Sequence, residues 1–143
     1  MSKAVILDSG PLGLLADPRP RPDAVACRRW ASDLLAAGSR VLIPEVTDYE
    51  VRRELLRAVR PKSVSELDRL QSWIEYLPIT TPVMRRAAEL WALARQTGRP
   101  TAGDNTIDAD MILVALAESL AAPGTVIATT NVGNPENLLH QLG

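Results

Sequence analysis

Histidine and cysteine are almost missing from this 143-residue sequence, which has one of each. A single histidine, His140, excludes a histidine-rich zinc site. A single cysteine, Cys27, excludes a disulfide framework within the chain, fits a reducing compartment and reads as a small core residue. No HExxH, CxxC or P-loop pattern occurs. A long apolar run is lacking at the start as well. Lys3 is followed only by Ala4-Val5-Ile6-Leu7 before Asp8, too little for a secretion leader or a membrane span. A cytoplasmic protein without a membrane partner is therefore expected. Excess charge of one sign is also absent: Lys plus Arg number 16, Asp plus Glu 17, and the formal charge is -1. That balance argues against a strongly basic binder and leaves room for local basic patches.

What is present is apolar material, 46% of the chain, enough for one domain over residues 1–143 with a sizeable core. No internal repeat or linker interrupts it. Ala4 to Leu7 reads as a buried central strand, and Leu12, Leu14 and Leu15 as a short helix after it. Asp17 to Pro22, rich in proline and arginine, reads as a surface connection. Asp23 is placed to cap a helix from Ala24 to Ala37, ended by Gly38, with Val25, Trp30, Leu34 and Leu35 on its buried face and Arg28 and Arg29 solvated. Arg40 to Ile43 is a second strand, stopped by Pro44, and a helix begins near Glu45. Ser63 to Ile74 reads as a helix with Ser63 and Glu66 as a capping box. Tyr76 to Ile79 reads as an edge strand, and Thr81 to Ala94 or Gln96 as a long helix. Gly98 to Asp104 is expected to be a loop at the mouth of a site, Thr125 to Thr129 a strand, and Pro135 to Leu142 one short helix. The three tryptophans lie in helical apolar patterns and read as structural. This alternation predicts an α/β fold, a three-layer α/β/α sandwich with a mostly parallel central sheet.

The chemistry-bearing positions are acids. Asp108 and Asp110 precede the apolar stretch Met111-Ile112-Leu113-Val114-Ala115-Leu116-Ala117, which reads as a helix whose N-terminal end attracts negative charge. Asp108 is either its cap or part of a site. Asp8 falls just past the carboxyl end of the first strand, where open α/β sheets place their sites; its plainer reading is a turn or cap residue. Glu50 sits on the helix after the second strand, facing either the strand ends or solvent. A parallel sheet can gather Asp8, Glu50 and Asp110 at one edge. Clustered carboxylates repel unless a cation balances them, and oxygen ligands favour Mg²⁺ or Mn²⁺. Such an ion can orient a water and stabilise charge on a phosphodiester. Arg52, Arg53, Arg57, Arg60 and Lys62 form the densest basic cluster, either a solvated helix face or a set of phosphate contacts.

Four stretches together resemble the PIN-domain family, and most closely its VapC-like toxins of type II toxin–antitoxin modules. Val5-Ile6-Leu7-Asp8-Ser9-Gly10-Pro11-Leu12 resembles the first acidic motif of that family. Ile43-Pro44-Glu45-Val46-Thr47-Asp48-Tyr49-Glu50-Val51-Arg52 resembles the second, with Glu50 in the acidic position. Asp110-Met111-Ile112-Leu113-Val114-Ala115-Leu116-Ala117 resembles the third, and Thr129-Thr130-Asn131 the fourth. The resemblance implies a metal-dependent endoribonuclease, a homodimer and a protein antitoxin. It makes Asp8, Glu50 and Asp110 the expected Mg²⁺ or Mn²⁺ ligands and Asp108 an extra ligand or a helix cap. Asn131 would position water or a backbone phosphate, and Arg52, Arg53 and Arg57 would contact RNA or an acidic antitoxin segment. Two departures stand out. Asn131 has no charge, and the chain ends soon after Leu142, with little room for a final edge strand. The alternative readings are a catalytically inactive PIN-like interaction protein and a small phosphotransfer or nucleotide-binding α/β domain, the latter weakened by the missing glycine-rich phosphate loop.

Overall fold

The first strand has no polar position on either face, and it lies at the centre of the sheet. In the computed structural model, which describes residues 3–97, 104–129 and 139–141, Ala4, Val5, Ile6 and Leu7 are all at most 1% exposed. In chain order the elements are β1 (Ala4–Leu7), α1 (Ser9–Leu15), α2 (Pro22–Ala36), β2 (Arg40–Pro44), α3 (Glu45–Arg57) and α4 (Pro61–Leu70). β3 (Glu75–Leu77), α5 (Thr81–Gln96), α6 (Asp104–Ser119), β4 (Val126–Ala128) and β5 (Leu139–Gln141) follow. The sheet order is β3-β2-β1-β4-β5. β3, β2, β1 and β4 run parallel, and β5 closes the far edge antiparallel to β4.

Alternation along β1 sends its side chains to two different cores. Val5 and Leu7 pack with Leu12 and Leu15 of α1, Cys27 and Ala31 of α2, and Leu67 and Leu70 of α4. Ala4 and Ile6 pack with Val83 and Ala87 of α5 and with Leu113 and Leu116 of α6. Two helical layers thus enclose one sheet, the expected three-layer arrangement. Strand order reverses at β1, because β2 and β3 lie on one side of it and β4 on the other. The carboxyl ends of strands at such a reversal border a crevice. No helix among the described residues is long and apolar enough to cross a membrane.

Several local expectations are corrected. α2 starts at Pro22, whose fixed φ suits a first helical turn, so Asp23 lies inside the helix and not before it. Ala24, Cys27 and Ala31 are its fully buried residues, with Trp30, Leu34 and Leu35 packed against the same core as expected, while Val25 is exposed. The Asp17 loop is anchored: Asp17 is buried, Arg19 donates to it from both backbone and side chain, and these bonds hold its carboxyl down to about 2. Arg28 donates to the Asp17 carbonyl and so is not simply solvated. α4 starts at Pro61, which leaves Ser63 buried within it, and the capping box does not form. The chain over Leu139–Gln141 is a strand and not a helix, and it covers the backbone of β4 that would otherwise be an open edge. Residues 135–138 lie outside the described residues, as does Asn131.

Thr47 of α3 is fully buried, and among the described residues its Oγ1 has no hydrogen-bond partner. A buried hydroxyl without a partner costs about 1–3 kcal/mol. Thr47→Val is therefore expected to raise stability by about 1 kcal/mol and the melting temperature by about 3 °C. Thermal unfolding followed by circular dichroism measures this, and a lowered melting temperature would show that the hydroxyl is bonded in solution.

Candidate active site

Asp8 follows β1 without an intervening residue. Its backbone N–H donates to the Ala128 carbonyl at 2.9 Å, which fastens the end of β1 to β4. Its Oδ1 accepts from the Ser9 N–H at 2.8 Å and caps α1. The capping role weighed from the sequence is thus real, and it holds the carboxylate at the sheet edge.

Glu50 is brought to the same edge because Pro44 is both the last residue of β2 and the N-cap of α3. Glu45 begins the helix at once, and Glu50 is half-buried within it. Asp110 comes from α6, which packs on α3. The three acids act on one another electrostatically. Burial pushes the Glu50 carboxyl above the usual range, and the charges of Asp8 and Asp110 push it further, with Arg53 opposing. Partial burial and then Asp8 push Asp110 up, although Asp110 retains an open surface. Among the described residues no three Asp, Glu, His or Cys side chains already stand at cation-cage distances. A cation would have to draw the acids inward.

Asp108 is not a helix cap. α6 starts at Asp104, so Asp108 lies one turn inside it. Asp104, expected as the last residue of a loop, is instead the first residue of the helix. Asp108 lines two hollows. One is a cleft of about 590 Å³ also lined by Glu45, Tyr49, Glu50, Arg53, Tyr76 and Ile112. The other is a groove between α5 and α6 bordered by Met84, Trp91 and Met111. Electrostatic coupling links Asp8, Glu50 and Asp110, while Asp108 shares the cleft with Glu50.

The three arginines differ in their partners. Arg52 is half-buried and donates to Asp48 at 3.1 Å and to Asp68 of α4 at 2.8 Å. Arg57 pairs with Glu54 on an exposed face. Arg53 lines the cleft, as Arg52 also does, and its guanidinium carbon lies 5.2 Å from the centroid of the Tyr49 ring. Sequence reasoning missed the framework behind this wall. Tyr76 donates its hydroxyl to Asp48 at 2.9 Å, and the Ile79 N–H donates to Glu45 at 2.8 Å, tying α3 to β3 and its continuation. The four-residue spacing of Asp48 and Arg52 was a readable signal. Asp68 and Tyr76 join that pair only through the fold.

A family model described as PIN domain matches residues 5–132. No curated protein sequence matches the chain significantly. Among solved structures, VapBC2 from Rickettsia felis bound to a DNA fragment from its promoter is 16% identical, with a TM-score of 0.67 over 94% of this chain and 92% of that one. VapBC-1 from nontypeable Haemophilus influenzae is 19% identical, with a TM-score of 0.62 over 90% and 87%. Mycobacterium tuberculosis VapC20, described as a sarcin–ricin loop cleaving toxin, is 13% identical, with a TM-score of 0.56 over 82% and 83%. At these identities the likeness is one of fold, and it runs through the same sheet that positions the acids. With the family match spanning β1 to the segment beyond β4, the chain belongs to the PIN-domain family.

Proposed function

We propose that this protein is a divalent-metal-dependent endoribonuclease that hydrolyses RNA phosphodiester bonds, and that it is the toxin of a toxin–antitoxin pair. The observation that carries the reading is the meeting of Asp8, Glu50 and Asp110, from three separate elements, within electrostatic range at the carboxyl edge of the sheet. The donor set is carboxylate oxygen without histidine or thiolate, which fits Mg²⁺ or Mn²⁺. When bound, the ion would supply charge stabilisation to the phosphodiester and orient the attacking water. The chain's own residues do the rest. Asp8 is held in place by its cap and by the β1–β4 bond. Glu50 and Asp110 bring charge whose repulsion the ion relieves. Arg53 offers a cation to the RNA backbone from within the cleft. The relatives named as VapBC complexes, and the one named as an RNA-cleaving toxin, support a protein antitoxin and an RNA substrate here. A homodimer in the cytoplasm completes the proposal, and Asn131 remains the proposed fourth polar contributor.

Asp8→Asn and Asp110→Asn are each expected to abolish Mn²⁺-stimulated RNA cleavage, by on the order of 100-fold or more, because changes merely next to metal ligands already cost about 10–100-fold. Calorimetric Mn²⁺ titration should weaken in parallel, with the circular dichroism spectrum retained. Asp108→Asn is expected to be milder. A dead Asp108 variant beside an active Asp110 variant would reverse the assignment, and no cleavage by the unchanged chain with either ion would favour the inactive interaction protein.

The raised Glu50 and Asp110 pKa values carry a sign. The folded chain holds these protons more tightly than the unfolded chain, so without metal it loses stability as pH rises from the usual carboxylate range through the raised values. Glu50→Gln should therefore raise the metal-free melting temperature at pH 7, and the gain should vanish as pH falls to the ordinary glutamate range. Protons compete with the cation, so Mn²⁺ affinity should fall on acidification over the same interval. Equal effects of Glu50→Gln at both ends of the pH range would remove the electrostatic coupling.

The arginines are told apart by salt. In an Asp110→Asn background that cannot consume its ligand, Arg53→Ala should weaken RNA binding and reduce the salt slope by roughly 0.7 to 0.9. Arg57→Ala should leave the slope unchanged, and Arg52→Ala should lower the melting temperature. Filter binding across several salt concentrations measures the slopes, and an unchanged Arg53 slope would take α3 out of the RNA path.

A further inference from the structure

The wall of α3 beside Glu50 carries an aromatic ring that the hydrolytic groups do not use. Tyr49 is 61% exposed, against 38% for Trp73 and 37% for Trp91, while Trp30 and Tyr76 are covered further. Arg53, one helical turn on, lays its guanidinium over one face of the ring. The ring thus stays largely open to solvent beside that guanidinium. Among the described residues Arg53 is in no ion pair, whereas Arg52 and Arg57 of the same helix are both paired with acids. Tyr49 and Arg53 line the cleft that contains Glu50. Its volume of about 590 Å³ falls within the range of about 300–1,000 Å³ that holds small ligands.

We infer that Tyr49 is a stacking platform for an unpaired nucleobase next to the scissile phosphate, with Arg53 bracing the ring and facing the backbone. This rests on the RNA-hydrolysis reading of the same site. A base within a duplex is already stacked on both faces and has none to offer the ring, whereas a base in a loop or single strand does. Stacking on an aromatic face tolerates any base, because every base has a π-face. Tyr49 therefore selects the unpaired state of the substrate and leaves base identity to other contacts. The guanidinium behind the ring adds an attraction for phosphate that a lone tyrosine lacks.

The test uses the full chain in the Asp110→Asn background, with a short single-stranded RNA carrying 2-aminopurine and the same RNA annealed to its complement. Binding of the single strand should quench the 2-aminopurine fluorescence. Tyr49→Ala should weaken single-strand binding by about tenfold and abolish the quench, without weakening duplex binding. Tyr49→Phe, which keeps the ring, should retain both affinity and quench, and thermal melts verify that both variants fold. Single-strand affinity unchanged in Tyr49→Ala, equal losses on single strand and duplex, or no binding of either RNA by the background would each overturn the platform. RNA cleavage by the unchanged chain with Mn²⁺ is measured alongside. Cleavage together with an indifferent Tyr49→Ala sinks the platform alone. A Tyr49-dependent single-strand quench without any cleavage keeps the stacking of an unpaired base on Tyr49 and sinks the endonuclease reading, together with the placement of that base beside a scissile phosphate.

Discussion

Carboxylates of like charge stay together only where something stronger than their repulsion holds their backbones. Near a protein surface two unit charges about 4 Å apart interact by about 4 kcal/mol. Complete burial of Val5, Ile6 and Leu7 contributes roughly 5–9 kcal/mol. The central strand can therefore carry Asp8 to the sheet edge and keep it there against two other acids. The Asp8 N–H bonded to Ala128 places the carboxylate at the end of a strand that cannot shift without opening the sheet on both sides. The rest of the site is arranged around that fixed point.

α3 is the second support, and its charges are divided by depth. Arg52 joins Asp48 to Asp68, and Tyr76 holds the other oxygen of Asp48, so the half-buried pair has its hydrogen bonds met. A buried pair contributes little when intact but is costly to break from one side. Arg53, one residue later, is in no ion pair among the described residues and lies over the Tyr49 ring. Adjacent arginines thus do unlike work because helical geometry turns each residue by about 100° from the last.

β1 was legible in full from its four apolar residues, and Asp8 as a strand-end acid followed from the stop at Ser9-Gly10-Pro11. The short step from β2 to α3 was legible because Pro44 both ends the strand and opens the helix. Helix starts were read less well. Pro22 and Pro61 were passed over in favour of Asp23 and Ser63, because a side-chain oxygen looks like a cap whether or not the helix has already begun. Asp104 was read as the end of a loop for the same reason: a polar residue serves a first turn as readily as a connection. β5 was invisible in three residues of mixed polarity, since its pairing partner is the edge that β4 leaves open. The coupling of Asp8, Glu50 and Asp110 was expected from the parallel sheet and from motif resemblance, whereas the place of Asp108 inside the helix depends on where α6 starts. The partners of Arg52 depend on packing between α3, α4 and β3, to which local spacing is blind.

The absence of any connecting residue between β2 and α3 has a mechanical meaning. A helix joined to its strand by a loop can pivot, and its side chains can swing over ångströms. Here Pro44 serves both elements and its φ is locked, so α3 has no hinge at its leading end. Glu45 and Asp48 clamp the same helix to β3 and the chain beyond it. Glu50 is thus carried by a helix tied to the sheet at its leading end and along its first turn. Whatever rearrangement accompanies the arrival of a cation must be taken up by rotation of the carboxylates themselves or by travel of α6 across the sheet, so the fold confines the adaptable half of the site to one side.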